Sequence, residues 1–102
     1  MNKLITILAN MELYKGQNML QNPIYSNYRP AFYFKGAPTR ISGKIDLIDN
    51  EHLQPGSSAI VRVTFNKGIL ADNYFVAGNS FEISEGGQYT LGNGKVLELL
   101  EI

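Results

Sequence analysis

Three stretches of this chain alternate apolar and polar residues with a period of two, which is the repeat of a pleated strand. Over 40–48, Ile41, Gly43, Ile45 and Leu47 face one way and Arg40, Ser42, Lys44 and Asp46 the other. Over 58–66, Ala59, Val61, Val63 and Phe65 are expected to point inward, and Ile60, Arg62, Thr64 and Asn66 outward. Over 4–14, every odd position from Ile5 to Leu13 is apolar and the even ones are mixed. No stretch of useful length carries the helical period. About six strands at short spacing, broken by Gly and Pro turns, predict a small antiparallel barrel or sandwich.

The segment 28–34, Tyr-Arg-Pro-Ala-Phe-Tyr-Phe, adds an aromatic strand that starts at a proline. Pro30 has no backbone donor, so it belongs at the first residue of that strand or on a sheet edge. Phe32 and Phe34 are expected in the core, because alternating rings on a strand are mostly buried. The segment Phe81-Glu82-Ile83 reads as a short strand, and Glu85-Gly86-Gly87 as a tight hairpin turn. Extended structure resumes over 88–91. Gly92-Asn93-Gly94 suggests a bulge or corner before a last strand over 96–102, and Gly43 suggests a bulge or bend in its own strand. A long loop over 15–27 carries or covers something. The segment 69–79 is irregular.

The chain has 102 residues, enough for one domain over 1–102. Hydrophobic residues make up 44% and charged residues 18%, a globular profile. Nine basic residues balance nine acidic ones, so no strongly basic surface asks for nucleic acid, and DNA is not an expected partner. There is no cysteine for a disulfide or a thiolate nucleophile. No apolar run approaches a membrane span, and the apolar segment 4–9 is too short for a signal peptide, so the cytoplasm is the expected location. His52 stands near Asp46, Asp49 and Glu51, but without metal-ligand spacing or a triad pattern. No catalytic residue, metal or cofactor is expected.

Four stretches carry a likeness to a known family. They are Tyr-Arg-Pro-Ala-Phe-Tyr-Phe at 28–34, Ile-Ser-Gly-Lys-Ile at 41–45, Gln-Pro-Gly at 54–56, and Phe-Glu-Ile-Ser-Glu-Gly-Gly at 81–87. In this order the chain resembles the C-terminal β-barrel domain, the third domain, of elongation factor Tu. The resemblance covers nearly the whole chain and implies an all-β fold: a closed, six-stranded antiparallel barrel. That family carries its nucleotide on a separate GTPase domain. Here Tyr89 stands where the first glycine of a phosphate loop would sit, and Val96 where Ser or Thr would hold magnesium, so GTP chemistry is not implied.

In the family this barrel packs on the GTPase domain and holds the T-stem backbone of aminoacyl-tRNA. Carried over by position, the RNA-contacting set is Ser42, Lys67, Glu85 and Gly86. Ala31 replaces a glutamine of the family and Lys35 an arginine, removing hydrogen bonds and a planar bidentate fork. With a balanced charge, these departures favour a protein partner over tRNA-like RNA. The expected protein-contacting residues are Arg29, Lys35, Ile69, Leu70, Tyr74 and Phe75, with Ile60 and Val76 in the same apolar surface; the alternative for the apolar ones is that they cover a barrel end. The resulting expectation is a non-catalytic binding module.

Overall fold

The computed structural model describes residues 3–16, 21–85 and 89–101. The protein is a closed barrel of six antiparallel strands. They are β1 (Leu4–Leu13), β3 (Ala31–Phe34), β4 (Ile41–Leu47), β6 (Ser58–Asn66), β7 (Ser80–Glu85) and β8 (Tyr89–Glu101). Around the barrel the order is β1-β6-β4-β3-β7-β8, closed by β1 against β8. Two further strands, β2 (Ile24–Tyr25) and β5 (His52–Leu53), pair as a separate ribbon.

The alternation read from the sequence is the inside–outside pattern of the barrel. Ile5, Ile7, Ala9, Met11 and Leu13 are buried, as are Val61, Val63 and Phe65, while Ile60 is exposed. The chain has five phenylalanines, and all five meet in one cluster. Phe32 touches Phe34, Phe65 and Phe81; Phe34 also touches Phe65, Phe75 and Phe81; Phe65 touches Phe75. Ring centroids lie 5.0–6.3 Å apart, mostly edge-on or tilted, the arrangement that the ring quadrupole favours.

Gly43 makes room for this cluster. It pairs with Phe65 in an unbroken register between β4 and β6, so it marks no bulge in that ladder, contrary to that part of the sequence expectation. A Cβ there would collide with the Phe65 ring and lie 2.9 Å from Phe32 Cε1. Pro30 falls just before β3, as expected, and its carbonyl accepts from Gly43 N at 3.2 Å. Asn27 takes a left-handed φ of 81°, which asparagine tolerates, and turns the chain toward Tyr28.

Gly92-Asn93-Gly94 also differs in part from the expectation. β8 runs through it without a break. Its glycines are sites of close approach: a Cβ on Gly92 would strike the Glu12 carbonyl, and one on Gly94 would lie 2.7 Å from the Asn10 carbonyl. The expected bulge does fall at the edge of this segment: Ile83 pairs with Gly92 but Ser84 with Thr90, which leaves Leu91 as an extra residue. The pairing of β8 with β1 shifts between Thr6 and Ile7 and between Leu8 and Ala9. The predicted Gly86-Gly87 turn lies outside the described residues.

Both barrel ends are covered. At one end a 3-10 turn, Asp72–Phe75, inserts Phe75, with Leu70 and Ala37 buried beside it. At the other, the ribbon buries Ile24 and Leu53. The long loop therefore covers this end in part. Phe75→Ala empties a fully enclosed site and is expected to cost about 3–5 kcal/mol in urea unfolding. A cost under about 1 kcal/mol would show that the 3-10 turn is not part of the core.

Candidate functional site: the outer wall

The structure separates the residues that the family resemblance grouped. Ser42 pairs with Ala31 and Ala31 with Ser84, so Ser42 and Glu85 lie near one another across β4, β3 and β7. Ser42 and Glu85 are exposed. Lys67 turns to the barrel end, where its ammonium lies 3.8 Å from the Asp72 carboxylate of the 3-10 turn. Gly86 lies outside the described residues.

The protein-contacting set divides too. Arg29, Lys35 and Ile69 are exposed. Leu70 and Phe75 are buried at 5% and 1% exposure, so they are not surface contacts, and the alternative that they cover a barrel end holds for them. Tyr74 is half-buried against the core, and its hydroxyl donates to the Gly36 carbonyl at 3.3 Å. A 3-10 turn this short has no periodicity to reveal which face it buries.

A groove of about 940 Å³ runs across the outside of β3, β7, β8 and β1. Two registered rows line it. One holds Asn10, Lys95 and Ser80, with the amide of Lys35 bonded to the Ser80 carbonyl. The other holds Glu12, Asn93, Glu82 and Tyr33. The Arg40 guanidinium sits 5.4 Å from the Tyr33 ring centroid and borders the groove there. Asn93 donates from its side-chain amide to the Tyr14 hydroxyl. Of these, the sequence reading had singled out Lys35.

Along the same strands, next to the groove, lies an apolar strip. Leu4, Leu97, Leu100 and Val76 are 40–46% exposed. Leu97 and Leu100 fall at the two places where β8 slips against β1, so each turns outward beside the ladder. Two residues beyond the exposed Val76, the segment before β7 runs along β8 through hydrogen bonds of Gly78 and Asn79 with Val96.

His52 pairs with Tyr25 in the ribbon, their ring centroids 6.0 Å apart. Asp49, Glu51 and His52 border an open depression of about 500 Å³. No group of three or more His, Cys, Asp or Glu among the described residues could hold a metal ion. No helix among them is long and apolar enough to cross a membrane. No protein-family model matches the chain.

Tyr28 is the titratable group that the fold perturbs most. Its hydroxyl is buried beside the Glu85 carboxylate. Burial, and then the nearby Glu85 carboxylate, push its pKa well above the ordinary tyrosine value. The unfolded chain ionises near pH 10 and the folded one later. The stability this group contributes is thus complete below about pH 10 and is lost as pH rises further. Tyr28→Phe removes this titration from the folded protein. Between pH 9 and pH 11 it should lose less stability than the parent. Equal losses would contradict the buried phenol.

Proposed function

We propose that the barrel is a non-catalytic module that binds a protein partner through its outer wall. The observation that carries this reading is the apolar strip of Leu4, Leu97, Leu100 and Val76 beside the groove. Contiguous exposed apolar surface on a small protein marks interaction sites, and an apolar centre with a polar border is the usual anatomy of an interface. The likeness to the third domain of elongation factor Tu supports the same reading, since in that family the barrel works by packing against another domain. The cytoplasm remains the proposed location.

The alternative is a module that holds tRNA-like backbone. The exposed Ser42 hydroxyl on β4 and the exposed Arg29 just before β3 favour it. Backbone contacts of this kind come from hydroxyls and cations. Lys67, the one cation of the inherited set, is instead engaged by Asp72.

Two measurements separate the readings. Immobilised barrel is compared with a Leu97→Glu, Leu100→Glu variant for proteins retained from cell extract. The proposal expects proteins held by the parent and lost by the variant, with both equally folded by circular dichroism. Identical retention, or none, would overturn it. In filter binding with tRNA, affinity that falls steeply with salt would establish the RNA reading instead.

A further inference from the structure

We infer that the groove receives an extended segment of the partner protein in which acidic and basic residues alternate. This rests on the protein-binding reading above and names the chemistry that the wall would recognise.

Lys35 and Lys95 belong to one row of the groove, Glu12 and Glu82 to the other. All four are exposed. None of them is in an ion pair among the described residues. The rows are two residues apart along each strand, about 7 Å, and like charges within a row stand on alternate strands, about 10 Å apart. Opposite charges are therefore ordered into two parallel stripes, with the Arg40 guanidinium over Tyr33 at the β3 end of the glutamate row. Between the stripes the Gly94 backbone packs directly on the Phe81 ring inside the barrel.

An extended chain lying along the groove points successive side chains to opposite sides. Acidic residues on one side would meet the lysine row, and basic residues on the other the glutamate row. The groove spans four strands, about 14 Å, which is the length of about four extended residues. A helix would present its charges at a spacing of three and four and would match one row at a time. The polar groove continues directly into the apolar strip along β1 and β8, so one partner can cover both.

The probe is a fluorescein-labelled octapeptide of alternating glutamate and lysine, compared by anisotropy at low salt with a block peptide of the same composition. The alternating peptide is expected to bind more tightly, by about fivefold or more. Lys35→Glu with Lys95→Glu, or Glu12→Lys with Glu82→Lys, should each weaken it about tenfold, since two favourable exposed pairs become repulsive. Combining all four substitutions exchanges the rows, and the peptide can turn around, so binding should return. Equal binding of the two peptides, no binding at millimolar concentration, or no rescue by the fourfold variant would overturn the inference. Retention of a partner protein by both charge-reversed variants but not by the Leu97, Leu100 variant would overturn the groove and leave the protein-binding reading standing.

Discussion

The contact on which the barrel depends is the packing of phenylalanine rings over the bare backbone of Gly43. Phe65 and Phe32 occupy the space where any other residue would place its Cβ. From there the cluster reaches Phe34, Phe81 and Phe75, joining β3, β4, β6, β7 and the 3-10 turn. Interiors this dense resist small displacements, so fixing the rings fixes the strands that carry them. The outer faces of those strands are the wall. Tyr33 lies between Phe32 and Phe34, and Glu82 between Phe81 and Ile83, so outward residues inherit their positions from buried neighbours.

Much of this frame is legible in the sequence. Alternation over 4–14, 40–48 and 58–66 finds three barrel strands and their inner faces, because each is long and has one fully buried side. The aromatic run finds β3 and its proline start. What escapes is short or non-local. The ribbon strands have two residues each, too few for a period. For Leu70 and Phe75 the sequence leaves surface patch and barrel-end cover open, because their burial depends on the barrel mouth and not on their neighbours in sequence. Gly92 and Gly94 look like breaks because glycine usually interrupts strands, whereas here β1 carbonyls and the Phe81 ring approach them closely.

The candidate site is less legible still, for a related reason. The two charge rows exist only once register places Lys95 beside Asn10 and Ser80, and Glu82 beside Asn93 and Tyr33. No single segment contains a row. Outward exposure of Leu97 and Leu100 likewise comes from slips in pairing that the sequence of β8 does not announce. The family resemblance supplied Lys35 for the wall, and with it a reason to expect docking, but the rows come from register.

The account as a whole claims that the wall is preformed: a rigid core holds the groove and the apolar strip in shape before any partner arrives. Native-state hydrogen exchange tests this most directly. Ladder amides of β1, β7 and β8 beneath the groove are predicted to exchange only through global unfolding, with the same opening free energy as the amides of Phe32, Phe34 and Phe65. Groove amides that open at several kcal/mol less than the phenylalanine amides would contradict the account, because the wall would then be shaped by its partner and not by the core.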